Sequence, residues 1–373
     1  MKRKLMAYAA LLLTLLLQGT AVRALEYDLR GQLSGWYLEA RDDGERIYSS
    51  GCRYIPQLDL LQDITPTTFI DLEAAANAWG AVMSGDPGKD AEIELYRLKL
   101  RFATATTETR LGLQVINFGP GTLLRPLRWF DRLDPRDPLK LTDGVYAALF
   151  KFTAQNNTNI WLWGLYGNDE PKGSELLASA DDRPELGGRL QAPAGPGELA
   201  FSFHSRTVDN PIPMLDAFDE MRFALDGRWD IEIGLWFEAT HKTQFGEGNL
   251  ETSTTMMMAG IDYTFGIGNG LYVLGEHMTT SVDGGELIPG LDDLTNISGL
   301  MLGYPHGYLD YFNAICLYDW DNEDVYIFGS WQRTWDDVAL NLSLFHNPEQ
   351  VEDGLQSMSA RGTGGQLIFM FNH

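Results

Sequence analysis

The stretch "YRLKLRFATATTETRLGLQV", residues 96–115, decides the fold. Tyr96, Leu98, Leu100 and Phe102 alternate with Arg97, Lys99 and Arg101. After "ATAT" the pattern resumes, with Leu111, Leu113 and Val115 alternating with Arg110 and Gln114. A period of two places successive side chains on opposite faces of a β-strand. Each segment therefore has one apolar and one charged face, and the break between them is too short for anything but a tight antiparallel turn.

The same alternation extends in both directions. Tyr27, Leu29, Gly31, Leu33, Gly35 and Tyr37 share one face near the N-terminus, and Val338, Leu340, Leu342 and Leu344 share one near the other end. Eighteen strands are expected, near 26–39, 54–61, 68–79, 91–102, 107–116, 143–152, 158–166, 185–192, 198–206, 220–227, 229–241, 253–265, 270–281, 295–304, 309–320, 325–333, 338–346 and 361–371. Sixteen is the other even count that the pattern permits. Connections after even-numbered strands are short, including a turn at "GR" (Gly227-Arg228). Those after odd-numbered strands are mostly long: 40–53, 80–90, 117–142, 167–184, 207–219 and 282–294, with Asp321–Asp324 the short exception. A soluble sandwich also has two-faced strands, but long loops alternating with short turns are the pattern of an outer-membrane barrel. The expected fold is an all-β, transmembrane antiparallel β-barrel in one domain, residues 25–373.

Residues 1–24 read as a secretory signal peptide. Lys2, Arg3 and Lys4 precede the apolar run Leu5–Leu17, and Val22-Arg23-Ala24 offers a cleavage site. Removing Lys2, Arg3, Lys4 and Arg23 leaves 24 basic against 52 acidic residues, a net charge near −28. Such a charge argues against nucleic acid as a partner. Cys52 and Cys316 are the only cysteines, so a disulfide scaffold and a cysteine metal site are excluded. No later apolar run is long enough for a spanning helix, and only closed barrels otherwise satisfy their backbone in lipid.

Aromatic residues fall near expected strand ends, where Trp and Tyr favour the membrane boundary. They are Trp36, Tyr37, Trp79, Phe102, Trp161, Trp163, Tyr166, Trp229, Tyr263, Phe265, Tyr304 and Tyr311. The closing "GGQLIFMFNH" places Gly365, Leu367, Phe369 and Phe371 on one face. It is similar to the C-terminal strand by which barrel proteins are recognised for insertion, with Asn372 and His373 added after the last Phe.

In a barrel the polar strand faces line the lumen. Arg97, Lys99, Arg101 and Arg110 then point inward together, with Asp71 and Glu73 on the strand before them. Two consequences are open: a charged lining that selects solutes, or mutual neutralisation across neighbouring strands. "LRPLRWFDRLDPRDPLKLTDGV", residues 124–145, is too rich in Leu, Trp and Phe for a solvated tail. It is expected to fold inward and narrow the barrel.

Residues 110–145, "RLGLQVINFGPGTLLRPLRWFDRLDPRDPLKLTDGV", resemble the Gln-x-Ile-x-(Trp/Phe)-Gly stretch and Asp-Pro-rich loop of alginate-export and related porin-like outer-membrane families. The resemblance implies loop and constriction positions at Gln114, Gly119, Asp134, Pro135, Asp137 and Gly144. It also implies a barrel that conducts solutes or a secreted polysaccharide. Arg125, Arg128, Arg132 and Arg136 would guide anionic groups, while Asp131, Asp134 and Asp137 pair with them and hold the loop's shape.

The expected function is passage of hydrophilic, charged solutes or an acidic polysaccharide through this constriction, without cofactor or metal. Expected partners are outer-membrane lipid and lipopolysaccharide, a hydrophilic or anionic solute, the barrel-insertion machinery and further copies of the chain. An adhesion or assembly barrel is the alternative, in which acids such as Asp169-Glu170 and Asp181-Asp182 bind bridging cations. An outer-membrane hydrolase is weaker. His204 and Ser205 point to opposite strand faces, His241 and Glu238 share a rim without a nucleophile motif, and no GxSxG or HExxH occurs.

Overall fold

The computed structural model describes residues 25–42, 44–84, 90–210, 216–246, 251–283, 294–348 and 362–373. The signal-peptide reading of 1–24 lies outside the described residues.

Eighteen strands form one antiparallel sheet. They are β1 (Glu26–Asp42), β2 (Glu45–Thr65), β3 (Thr68–Met83), β4 (Asp90–Ala103), β5 (Thr107–Gln114), β6 (Val145–Thr153), β7 (Asn159–Leu165), β8 (Glu185–Ala194) and β9 (Gly197–Val208). Then follow β10 (Phe218–Asp230), β11 (Gly234–Phe245), β12 (Glu251–Phe265), β13 (Leu271–Asp283), β14 (Leu294–His306), β15 (Asp310–Asp319), β16 (Asp324–Thr334), β17 (Val338–Asn347) and β18 (Gly362–Asn372). Each strand pairs with its neighbour in sequence, and β1 closes on β18 from Gln32↔Asn372 to Arg41↔Thr363. Closure leaves no sheet edge, which is what lipid demands of a spanning sheet.

The distribution of side chains is inverted relative to a water-soluble protein. On β9 and β10, Phe201, Phe203, Met221, Phe223 and Leu225 are exposed, while Ser202, His204, Arg206, Glu220, Arg222 and Asp226 are buried. The apolar outer face meets lipid and the polar face turns inward. Sequence alternation sets this arrangement, because a one-residue slip would exchange the two faces.

Four expectations need correction. Residues 40–53 are not a long loop: β1 and β2 run as a hairpin to Asp42↔Glu45, with Gly44 at φ 84° in the turn. The turn after β10 is at Ile231–Ile233, not at Gly227-Arg228, with Ile231 N–H bonded to the Ile233 carbonyl. Gly227 lies within β10, so glycine there allows close packing and marks no turn. Trp161 and Trp163 face inward, and Trp163 is buried. Nor is the inner face polar throughout. Leu274, Ile315, Leu317, Tyr326, Phe328 and Phe345 form a buried apolar cluster with Leu124 of the β5–β6 connection. Cys52 and Cys316 are free thiols.

Candidate functional site

Lys99 and Arg101 of β4 meet carboxylates of β3 directly across the sheet. Glu73 faces Lys99 and Asp71 faces Arg101 in register, and both pairs are ion-paired, the second at 2.5 Å. Arg101 also lies 3.5 Å from Glu108, which holds Arg110 at 2.6 Å. Lys99, Arg101 and Arg110 are thus matched by Glu73, Asp71 and Glu108. Arg97 differs. A bulge at Ala75/Ala76 sets Tyr96 out of register. The Arg97 guanidinium stacks 3.8 Å from the Tyr96 ring centroid and donates to the carbonyls of Tyr96 and Thr142. Among the described residues it joins no ion pair.

The β5–β6 connection, residues 115–144, holds its own shape. Gln114, at the end of β5, donates to the Ala147 carbonyl at 3.0 Å. Arg125 pairs with Asp131 at 2.6 Å and Arg136 with Asp134 at 2.7 Å. Asp131, Asp134 and Asp137 each accept a backbone amide two residues on, from Leu133, Arg136 and Leu139. Three successive Asx turns fold the chain tightly without helix or strand. Arg132 donates to the Pro171 carbonyl at 2.6 Å. Burial lowers the Arg128 pKa, with adjacent Arg125 adding to the effect. Burial likewise raises Asp137, against the pull of amides from Leu141 and Leu139.

Two carboxylates on distant strands grip this connection. Glu238 on β11 accepts the amides of Gly121 at 2.7 Å and Leu127 at 2.9 Å. Glu276 on β13 accepts those of Thr122, Leu123 and Leu124 at 2.8, 2.8 and 2.6 Å. Both side chains belong to the buried inner face, opposite exposed Leu235 and His277. Gly119 has φ 93° and stands so close to Glu238 and Leu127 that a Cβ would lie 2.5 Å from the carboxylate. Only glycine suits that backbone at that distance. His241 does not share a rim with Glu238, because the two stand on opposite faces of β11.

Aromatic packing fills the root of the connection. Phe118 stacks on Trp163 at 5.5 Å and meets Trp129 edge-on, while Phe130 packs against His204. The Arg189 guanidinium lies over Phe118.

A second connection, between β7 and β8, also packs here. Ser174 donates its amide to the Arg128 carbonyl at 2.9 Å. Lys172 pairs with Glu175 and Glu185 at 3.1 and 2.9 Å. Glu175 also meets Arg206 and Arg222, and these arginines share Glu220. Arg189 binds Asp226 at 2.6 Å. His204 accepts the Trp163 indole N–H at Nδ1, so its Nε2–H is the side that donates to Glu185. Glu175, Glu185 and His204 bring three ligand atoms within 4.8 Å of one another. The Lys172 ammonium already sits between the two carboxylates, where a metal ion would go. Outside this network, Asp181 and Asp182 line an open cleft with Asp209, Asp216, Asp219 and Arg183.

No protein-family model matches the sequence, and no curated protein sequence matches it. Solved structures do match. The chain is similar to OccAB1 of Acinetobacter baumannii, at 10% identity over 93% of this chain and 96% of that one, with a TM-score of 0.58. It is similar to OccK5 (OpdH) of Pseudomonas aeruginosa, at 10% identity over 93% and 98%, with a TM-score of 0.57. An anion-selective porin from Comamonas acidovorans matches at 12% identity over 94% and 100%, with a TM-score of 0.54. The fold is that of the outer-membrane porins. At these identities the likeness concerns architecture alone, and the porin-like barrel carries its own tethers, Glu238 and Glu276. Neither was singled out from sequence as a loop partner, since an isolated Glu on an inner strand face looks like any other lumen residue.

Proposed function

We propose that the protein is an outer-membrane channel for small hydrophilic solutes, narrowed by residues 115–144 lying across its lumen. One observation carries this reading. The amides of Gly121, Thr122, Leu123, Leu124 and Leu127 are accepted by Glu238 and Glu276, on strands far round the ring from the connection's roots on β5 and β6. A segment gripped at both places spans the barrel interior.

The route past it follows the charged row on β3–β5. There the Lys99 and Glu73 side chains keep 19% and 18% exposure and Arg101 keeps 31%. The ions of the β8–β10 network retain 5% or less. Water and solute therefore reach the first row and not the second. Facing rows of carboxylates and cations make a transverse field, which orients dipolar or zwitterionic solutes. Arg97, unmatched by a carboxylate, adds net positive charge beside the connection's end at Thr142. An acidic polysaccharide draws no support from this lining, because Lys99, Arg101 and Arg110 are each paired with a carboxylate.

Planar-bilayer recording tests the reading. The purified protein is expected to conduct ions in discrete steps, and deletion of Thr122–Leu141 is expected to enlarge the step. Silence from both proteins would end the channel proposal.

A further inference from the structure

Five of the six histidines stand at the outer rims of the barrel, and only His204 lies inside. His306 and His373 mark the short-turn rim, the latter bonded to Tyr54 at 3.0 Å. The other three mark the loop-side rim in a repeated arrangement. His241 faces Thr255, His277 faces Ser298 and His346 faces Thr363 directly across neighbouring strands. In each pair imidazole Nδ1 meets the hydroxyl, at 2.9, 2.9 and 2.8 Å.

All three pairs occupy one level. The histidines lie seven, six and eight residues beyond the first residues of β11, β13 and β17. That is roughly 20–27 Å of strand, or about 15–21 Å of height at a strand tilt of about 40°, in the upper part of the ~25 Å apolar band of such barrels. Below them the outward positions are apolar, with Leu235 under His241 and Leu342 and Leu344 under His346. The next outward positions above them are Thr243, Thr279 and Asn296. The pairs therefore sit where acyl chain gives way to headgroup.

One contact bears on the proton of His277. An indole N–H only donates, and the Trp320 indole donates to Ser298 Oγ at 2.9 Å. That leaves the Ser298 hydroxyl hydrogen free for Nδ1 of His277, and in that arrangement Nε2 carries the ring's N–H. His241 has both nitrogens engaged, by Thr255 and Thr243. His277 and His346 each have no second partner among the described residues.

We propose that the His277–Ser298 and His346–Thr363 pairs are headgroup sites. Each donates an Nε2–H to a phosphate oxygen of a phosphorylated lipid whose acyl chains lie along the apolar strand faces below. An N–H fixed at that height takes the strongest acceptor present, and an anionic phosphate is a stronger acceptor than a sugar hydroxyl. The hydroxyl partner fixes the ring's orientation before the lipid arrives, so little ordering cost remains.

The test is native mass spectrometry of the protein reconstituted with an equal mixture of a two-phosphate glycolipid (lipid A) and its dephosphorylated form. Wild type is expected to retain the phosphorylated lipid preferentially. H277L/H346L, which keeps the outer face apolar, is expected to lose that preference by on the order of tenfold. Equal retention of the two lipids by wild type would overturn the proposal without recourse to any variant. So would an unchanged preference in H277L/H346L.

Discussion

Glu276 accepts the backbone amide of Leu124 at 2.6 Å, joining residues 152 positions apart. Its other oxygen takes Thr122, and Leu123 shares the first. Glu276→Ala strands three amide donors in the barrel interior. Each buried donor left unpaired costs about 1–3 kcal/mol, so the connection is expected to release locally while the barrel stays closed. Single-channel recording should show larger, noisier openings for E276A, with E276Q between it and wild type because one acceptor oxygen remains.

Selectivity separates Arg97 from Arg101. Arg101 is matched by Asp71 and Glu108, so R101E places three acids together and disturbs the wall as well as the charge. Arg97 is held by two carbonyls and the Tyr96 ring, with no carboxylate partner among the described residues. R97E is expected to move the reversal potential under a salt gradient toward cation preference. If Arg97 lines the passage, this shift exceeds that of a conservative R97K. An unmoved potential would place Arg97 away from the solute's route.

Most of the fold was legible because the barrel's rule is local. Period-two alternation reports which face each residue takes, and connection length reports which end of the barrel it is on. Boundaries were less legible at β1–β2, where pairing continues through Gly51 in a segment that reads as loop, and at Gly227, where glycine inside a strand imitates a turn. The charged rows illustrate a different limit. Their residues were visible, but whether Arg101 meets solute or Asp71 depends on register, which no single strand encodes. Glu238, Glu276 and Lys172 were harder still, since the first two act through partners more than a hundred residues away and the third sits in a connection with no periodic pattern to place its side chain.

Packing at the connection's root should be expensive to disturb. Trp129 is buried against Phe118 and Phe130. Trp129→Ala removes a large aromatic side chain from a close-packed site, a change that costs about 3–5 kcal/mol in protein cores. The expected result is loss of protection of the amides around residues 124–133 in hydrogen exchange, with strand amides of β11–β18 unaffected. Protection equal to wild type would mean that the Asx turns alone hold the segment.

The Asp137 carboxyl is pushed up by burial. A raised folded-state value means that the protonated form is favoured when the connection is folded. Its contribution is therefore most favourable in acid and diminishes as pH rises through the unfolded value near 3.8 and then the folded one. D137N removes the titration while keeping an acceptor for one of the two amides from Leu139 and Leu141. Protection of those amides against hydrogen exchange, corrected for intrinsic rates, should rise in wild type as pH falls across this window and stay flatter in D137N.

Lys172 offers the sharpest test of the buried network. Its ammonium lies between Glu175 and Glu185, and His204 completes a set of three metal-type ligand atoms within 4.8 Å. Two carboxylates and an imidazole suit Zn²⁺, but the lysine supplies the positive charge and occupies the space. Wild type is therefore expected to show no Zn²⁺-dependent change in thermal stability. Lys172→Ala removes the cation and leaves acids that repel each other, which lowers stability in metal-free buffer. Added Zn²⁺ should then restore it, because a divalent cation replaces the missing charge. A Zn²⁺ response in wild type would show that the ammonium yields to metal, and no rescue in K172A would show that the three ligands cannot close around an ion.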